Sequence, residues 1–249
     1  MNTNQAVRAA AAAVTGAHHR RTGRNGQDAA ATWTGPGAGV AVVCDGCSAG
    51  ASSEVGARLG AELVIAAASR ELARGARAGA IWSAVQDHVA GALGRLADAM
   101  PGDRARVVHD HFLFTIVAAA FSGDEVAVWA LGDGAYALGD RVRVLGPFAD
   151  NQPPYLAYAL LGEAPPAHLE VAGARCGSVR VATDGVAEVG FDALGSADGH
   201  LRHPDALRRR LTVLARGDER IDWEARRVER RAAALQDDGA VAYLRWEQP

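Results

Sequence analysis

Several short apolar runs in this chain are rich in valine and lie directly beside an Asp-Gly pair. The runs are VAVVCDG (40–46), VWALGDG (128–134), VRVATDG (179–185) and DDGAVAYL (237–244). Short β-branched runs bounded by glycine predict buried strands. The carboxylates of Asp45, Asp133, Asp184 and Asp237 therefore lie at predicted strand ends, where they can converge on one rim.

The hydrophobic pattern predicts further elements between these runs. Predicted strands cover residues 5–15, 39–44, 112–121, 126–131, 135–138, 141–145, 178–182 and 240–246. Predicted helices cover about 52–66, 78–100, 153–161, 204–216 and 222–235. In the first of these helices Val55, Leu59, Leu63 and Ala66 share one face, which we expect to be buried. Hairpin-joined strands with helices inserted between groups of them indicate an α+β sandwich of mainly antiparallel sheets.

Composition narrows the function classes. With 249 residues, 49% hydrophobic and 22% charged, the chain is typical of a soluble protein, and we expect one domain over residues 1–249. It has no apolar run of about 18 residues, so we expect no membrane association. Three cysteines, an odd and low number, favour a reducing, cytoplasmic location. We take Trp82, Trp129, Trp223 and Trp246 as packing residues.

Charge excludes several activities. The net charge is −3, and the arginine clusters at 208–210 and 226–231 are interleaved with or followed by acids, which argues against nucleic-acid binding. The chain contains no lysine, so all 26 of its Lys/Arg residues are arginine. A P-loop nucleotide hydrolase and a Schiff-base enzyme each need a lysine amine, and both classes are excluded.

Four acids on one rim instead indicate bound cations. Carboxylates held close together raise one another's pKa unless positive charge compensates, and hard divalent ions with oxygen ligands are the usual solution. The strand-end acids therefore predict a metal-dependent hydrolase.

Five short motifs follow one another in a particular order. They are Gln27-Asp28-Ala29, Asp45-Gly46, Gly132-Asp133-Gly134, Thr183-Asp184-Gly185 and Asp237-Asp238. An Asp-Gly pair alone is a common turn dipeptide. Five motifs in this order resemble the type 2C metal-dependent protein serine/threonine phosphatases over nearly the whole chain, and Gln-Asp-Ala with Asp-Gly-Cys resembles a bacterial branch of that family. The resemblance implies a four-layer α/β/β/α sandwich, with two antiparallel sheets flanked by helix pairs.

The resemblance also implies a role for each matching acid. Asp45 would bridge two metal ions, and the Gly46 carbonyl would bind the second ion. Asp184 and Asp237 would complete the first site, and Asp28 would hold metal-bound water from outside the ligand set. Oxygen-only ligands favour Mn²⁺ or Mg²⁺ over zinc. Two such ions activate water for in-line attack on phosphorus, so no protein nucleophile is required.

Further positions match looser parts of the family pattern. Asp133 and Glu188 would form a third metal site. His19 or Arg24 is expected to contact the substrate phosphate, and arginine is the better bidentate partner for that group.

Some positions depart from the family pattern. Gln27 stands where many relatives have an acid, and Asp238 stands where they have asparagine, so Asp237 and Asp238 compete for one ligand position. Cys44 and Cys47 form a C-x-x-C pair that surrounds Asp45, which leaves a redox-regulated protein as an alternative.

The expected function is metal-dependent hydrolysis of phosphoserine or phosphothreonine in proteins, which would oppose a serine/threonine kinase. The expected partner is a phosphorylated protein, and we expect a monomer. The alternative of another class is a catalytically weak module that binds phosphoproteins or regulates them, which Gln27 and the altered Asp-Gly-Cys loop favour.

Overall fold

Two antiparallel five-stranded sheets form the centre of the molecule. The computed structural model describes residues 6–149, 152–203 and 205–247. In the first sheet the strand order is β2 (Asp28–Gly35), β3 (Ala38–Gly46), β4 (Phe114–Ser122), β5 (Glu125–Leu131) and β8 (His168–Gly173). In the second sheet the order is β1 (Val7–Val14), β12 (Gly239–Trp246), β9 (Ser178–Ala182), β6 (Gly134–Leu138) and β7 (Arg141–Leu145).

Helices cover the outer face of each sheet. On the first sheet lie α2 (Ser53–Ala73), α3 (Trp82–Ala99) and α4 (Arg104–His111), together with a 3₁₀ segment at Leu156–Leu161. On the second sheet lie α5 (Asp184–Val189), α6 (Ala197–Arg202) and α7 (Ala206–Leu214), with a 3₁₀ segment at Phe191–Leu194. The remaining elements are α1 (Ala17–Thr22), a 3₁₀ turn at Ala174–Cys176, and a separate hairpin of β10 (Asp218–Asp222) and β11 (Arg227–Arg231).

Three hydrophobic clusters fill the spaces between these four layers. In β3, Val42 and Cys44 face helices α2 and α3, whereas Ala41 and Val43 face the other sheet. Because successive side chains of a strand point to opposite faces, a strand buried on both faces has a continuous apolar sequence. The predicted α+β sandwich of two antiparallel sheets is therefore confirmed, as are the predicted hairpins at 112–131 and 135–145.

Helix α2 buries a different face from the predicted one. Val55 and Leu59 are exposed, and the buried positions are mostly small residues: Ser53, Gly56, Ala57, Gly60, Ala61, Val64, Ala67, Ala68 and Leu72. A Cβ at position 56 would lie 2.1 Å from the His111 carbonyl oxygen, and one at position 60 would lie 2.2 Å from the Phe114 ring. The helix has glycine at these two positions because the His111 backbone and the Phe114 ring lie directly against it.

The predicted helix at 222–235 is wrong. Residues of this segment form β11, which pairs with β10, and Arg226 at the turn has a left-handed φ of 49°. Arg230 forms an ion pair with Glu219 across the two strands at 2.9 Å. Trp223 is 80% exposed, so its prediction as a packing residue is also wrong. The alternating charges suit a two-sided exposed hairpin better than a helix with a buried face.

The other tryptophans are packing residues as predicted. Trp82 stacks on Trp129 with ring centroids 5.5 Å apart, and Trp246 stacks on Phe121 at 4.2 Å. The sequence patterns missed α1, α4, α5, α6, β2, β8 and β10. The predicted helix at 204–216 is α7, and residue 204, like residue 5 of the first predicted strand, lies outside the described residues.

Within the described residues, every helix is too short or too polar to cross a lipid bilayer.

The tight contact of α2 gives a stability prediction. In Gly56→Ala the new methyl group would overlap the His111 carbonyl oxygen, so we expect the free energy of unfolding to fall by roughly 1–3 kcal/mol. The matched control is Gly91→Ala, because position 91 is an exposed helical glycine whose Cβ would meet only Arg95 at 3.5 Å. There the change should raise stability by about 0.5–1 kcal/mol. Urea unfolding followed by circular dichroism measures the free energy of unfolding of both variants. Equal changes in the two variants would contradict the close contact between α2 and His111.

Candidate metal centre

Two of the predicted site acids come from neighbouring strands of the first sheet. Asp28, the first residue of β2, lies directly opposite Asp45 near the end of β3. In β3 the alternation that turns Ala41 and Val43 toward the second sheet also turns Asp45 that way. Both carboxyls therefore lie at the rim of the space between the sheets.

The second sheet contributes a third acid at the same rim. Asp184 follows β9 and begins α5. The Asp45 carboxyl interacts with the carboxyls of both Asp28 and Asp184. Burial raises the pKa of Asp45 well above its usual range, and the charges of Asp28 and Asp184 raise it further.

The other rim acids differ in how close they come. Asp133 lies in the turn that leads from β5 of the first sheet to β6 of the second. Burial, with a contribution from the charge of Asp184, raises its pKa to about 6. Glu188 is exposed one turn further along α5, and no described side chain hydrogen-bonds to it. The structure therefore brings Asp133 to the cluster and leaves Glu188 at its margin.

Hydrogen bonds between the two sheets hold this rim together. Thr183, the residue before Asp184, donates from its hydroxyl to the Asp28 carboxylate at 2.6 Å and accepts from the Ala240 backbone N–H at 2.9 Å. Burial raises the pKa of Asp28, whereas the Thr183 hydrogen bond lowers it. Sequence reasoning matched Thr183 only as part of a motif and missed this bridging role.

Asp237 and Asp238 differ in burial and in their hydrogen bonds. Asp238 is buried, and its carboxylate accepts hydrogen bonds from the backbone N–H groups of Gly16 at 2.8 Å and Gln27 at 2.6 Å. It also pairs with His19 Nδ1 at 2.8 Å. The neighbouring Asp237 is exposed. Asp238 is therefore engaged by three groups of the protein, whereas the Asp237 carboxylate accepts one hydrogen bond, from the Asp238 backbone N–H at 2.8 Å.

The chain approaches itself very closely around these two acids. A Cβ at position 16 would lie 2.1 Å from the Asp237 carbonyl oxygen, and one at position 185 would lie 2.1 Å from the Asp238 carbonyl oxygen. Only glycine fits at either position without moving the backbone. The glycines of the Thr-Asp-Gly motif and of the turn after β1 therefore set the position of the Asp237-Asp238 pair.

The two side chains predicted to contact phosphate have different surroundings. His19, in α1, is buried and already hydrogen-bonded to Asp238. Arg24 is exposed, and its guanidinium donates to the Ser48 carbonyl oxygen at 3.1 Å, in the loop that follows Asp45. Among the described residues, one group of three possible metal-ligating side chains has its ligand atoms within 4.8 Å of one another: His19, Asp237 and Asp238. His19 and Asp238 hydrogen-bond to each other. We therefore interpret Asp237 as the member of this group that would bind a metal ion.

Gln27 has a role that its sequence position did not indicate. Its side-chain amide donates to the Ser53 hydroxyl at 2.6 Å, and the backbone carbonyl oxygen of Gln27 accepts from the Gly46 N–H at 3.2 Å. Gln27 therefore fixes the loop between β3 and α2. An uncharged side chain is well suited to this buried position, since it needs no compensating charge.

A tyrosine that sequence reasoning missed also borders the acids. Tyr155 is buried, and its hydroxyl faces the Cys47 thiol. Its pKa is raised, chiefly by burial and also by Cys47, Asp45 and Asp133. Cys44 is fully buried against the helix layer, and both cysteines are free thiols. The C-x-x-C pair therefore has one inaccessible member.

Comparison with known proteins identifies the family. The family model described as "Protein phosphatase 2C" matches residues 15–226. The chain therefore belongs to the protein phosphatase 2C family, whose members are hydrolases, and the predictions of the family and of the enzyme class are confirmed. A comparison with curated proteins found no significant match.

Several solved structures share the fold. The catalytic domain of the serine/threonine phosphatase PstP, in complex with two manganese ions, is similar with a TM-score of 0.61 at 16% identity, over 98% of this chain and 100% of that one. PppA of Pseudomonas aeruginosa, described as a key regulatory component of T6SS, gives 0.63 at 16% identity over 97% and 98%. Stp1 of Staphylococcus aureus gives 0.59 at 13% identity over 100% and 98%.

The Asp238 hydrogen bonds give a second prediction. Asp238→Ala should lower the free energy of unfolding by roughly 2–4 kcal/mol, because two buried N–H donors and His19 lose their acceptor. Asp237→Ala, the neighbouring control, removes only the hydrogen bond from the Asp238 N–H and should lower it by about 1 kcal/mol or less in chelator. Urea unfolding with EDTA present measures both, and similar losses would show that Asp238 is not the structural member of the pair.

The raised pKa values predict how stability depends on pH. A carboxyl whose pKa is higher in the folded chain than its unfolded value of about 4 binds more protons in the native state, so stability falls as pH rises through the folded pKa. Cation binding requires the deprotonated carboxylates. We expect Mn²⁺ to raise the melting temperature more at about pH 7.5 than at about pH 5.5. Thermal unfolding with MnCl₂ or EDTA measures this, and equal shifts at both pH values would contradict it.

Proposed function

We propose that this protein hydrolyses phosphoserine and phosphothreonine esters in proteins with the help of Mn²⁺ or Mg²⁺. The observation that carries the proposal is the convergence of Asp28, Asp45 and Asp184 at one rim of the sandwich, through the pairing of Asp28 with Asp45 and the hydrogen bond from Thr183 to Asp28. The negative charges of neighbouring carboxylates repel one another unless cations compensate them. Membership of the protein phosphatase 2C family supports the same reaction.

The donor set of the rim fits hard divalent ions. The ligand atoms available there are carboxylate oxygens, with backbone carbonyls such as that of Gly46, and such ligands suit Mn²⁺ and Mg²⁺. We propose that Asp45, Asp184 and Asp237 would hold the ions, and that Asp45 would be shared because it interacts with both Asp28 and Asp184. A third ion, at Asp133 with Glu188, has weaker support because Glu188 is at the margin of the cluster. The manganese ions found in PstP support two ions here.

When bound, such cations activate a water molecule for in-line attack and compensate negative charge on the phosphoryl oxygens. The chain's own contribution is to fix the carboxylates. Thr183 holds Asp28 by its hydroxyl, and Asp28 is proposed to orient water from outside the ligand set. Asp238 holds the chain that carries Asp237.

Arg24 is the better supported candidate for contact with substrate phosphate. Its guanidinium is exposed beside the loop that follows Asp45, and a planar guanidinium can bind two phosphate oxygens at once. His19 is proposed instead as a positioning residue, because its Nδ1 is engaged by buried Asp238.

Substrate and context extend this proposal. A phosphorylated protein, opposing a serine/threonine kinase, is the proposed partner, and a monomer in the cytoplasm is the proposed setting. Treating the chain as one phosphatase domain is supported by relatives that match it along nearly their whole length. The alternative of a non-catalytic phosphoprotein-binding module loses part of its basis, because Gln27 fixes a loop here.

The test is phosphate release from a phosphothreonine peptide with Mn²⁺, with Mg²⁺ and with EDTA. We expect metal-dependent turnover in the wild type and a loss of at least about a hundredfold in Asp184→Asn, because a ligand charge is removed. The control is Asp192→Asn, an exposed acid on the second helix layer, which should keep full activity.

Peptide binding measured on the same samples separates the two candidate functions. A folded protein that binds the phosphopeptide without releasing phosphate under any metal would establish the binding module. Turnover that EDTA does not suppress would overturn the role of the cations.

A further inference from the structure

A second site candidate lies at the opposite end of the second sheet from the acids. Strands β9 and β12 have Asp184 and Asp237 beside one end. At their other end a cavity of about 630 Å³ opens between the outer face of the sheet and helix α6. None of the predicted metal ligands lines it, so this cavity is separate from the candidate metal centre.

Arginines from neighbouring strands face this cavity. Arg8 of β1 lies directly opposite Arg245 of β12, and Arg180 of β9 lies opposite Tyr243 of β12. These positions alternate with the residues that face the first sheet, such as Leu244, so they point toward the helix layer. Like charges directly opposite each other in a sheet are destabilising. A bound anion would remove that cost.

The opposite wall brings a fourth arginine. Arg202 lies in α6, which also carries Asp198, the ion-pair partner of Arg245. Nothing in the described part of the chain pairs with Arg202 or with Arg8. Both guanidinium groups are exposed and therefore available to a ligand.

The outer face of the second sheet forms the floor of the cavity, and two contacts fix the Arg180 side chain there. Arg180 donates to the Gly139 carbonyl oxygen at 3.0 Å, and its guanidinium lies 4.9 Å from the centre of the Phe191 ring. Tyr243 is buried and lines the cavity beside Arg180, and no described group hydrogen-bonds to its hydroxyl. A fixed guanidinium and an available phenol hydroxyl give the floor two donors at known positions.

The volume and the charges together define a ligand class. A cavity of about 630 Å³ is of the size that holds small molecules. Its lining has four arginines, against the three carboxylates of Asp140, Asp198 and Glu247. Guanidinium groups bind phosphate in a bidentate manner. We propose that this cavity binds a small phosphate-bearing anion between Arg8 and Arg202, over Tyr243.

The test is calorimetric titration of pyrophosphate into the full chain with EDTA present. Under chelation the rim carboxylates repel anions, so binding at the candidate metal centre does not contribute. We expect one pyrophosphate per chain, and binding at least about tenfold weaker in the Arg8→Ala/Arg202→Ala double variant. The matched control is Arg95→Ala, which removes an exposed arginine from α3 on the first sheet and should bind like the wild type.

Two further arms make the outcome decisive. Inorganic phosphate should bind more weakly than pyrophosphate, because it reaches fewer arginines, and succinate should bind more weakly still. Succinate binding as tightly as pyrophosphate would overturn the phosphate assignment. Absence of pyrophosphate binding in the wild type, or unchanged binding in a double variant whose circular dichroism shows it to be folded, would overturn the site. Tyr243→Phe should weaken binding severalfold without unfolding the chain, because only a hydroxyl is removed.

Discussion

The buried carboxylate of Asp238 is the interaction on which the candidate centre depends most. It belongs to the second sheet, yet it accepts from the N–H of Gln27, which leads into the first sheet, and from the N–H of Gly16. Hydrogen bonds to a charged acceptor are stronger than those between neutral groups, and a buried charge requires them. The bond from Thr183 to Asp28 repeats the connection one residue away. The relative position of acids from two different sheets is thus set by two polar links at one rim.

Short continuous apolar runs made the central strands predictable, and the Asp-Gly pairs located their ends. The same pattern could not separate Asp237 from Asp238, because adjacent acids differ only in burial, and burial follows from the distant residues Gly16 and Gln27. Gln27 was equally ambiguous, since its partner Ser53 lies in another element. A site residue is predictable from sequence when its motif is local, and it is not when its role comes from a contact across the sandwich.

The two fold errors have different physical causes. In α2 the larger apolar residues Val55 and Leu59 are outside, because the His111 backbone and the Phe114 ring leave space only for glycine at positions 56 and 60 of the buried face. Side-chain volume rather than hydrophobicity decided which face was buried. In the β10–β11 hairpin, cross-strand ion pairs and not a core stabilise the segment, so no apolar period distinguished strand from helix.

The charges of the second sheet are separated along its strands. Carboxylates cluster where β9 ends and β12 begins, and arginines cluster at the other ends of the same two strands. This arrangement gives the sheet an electric dipole that draws cations to the acid rim and phosphate groups away from it. Cations bound at the rim as proposed would offset the negative potential that a phosphorylated substrate meets there. The direction in which these two strands carry their charges would then favour metal binding before substrate binding.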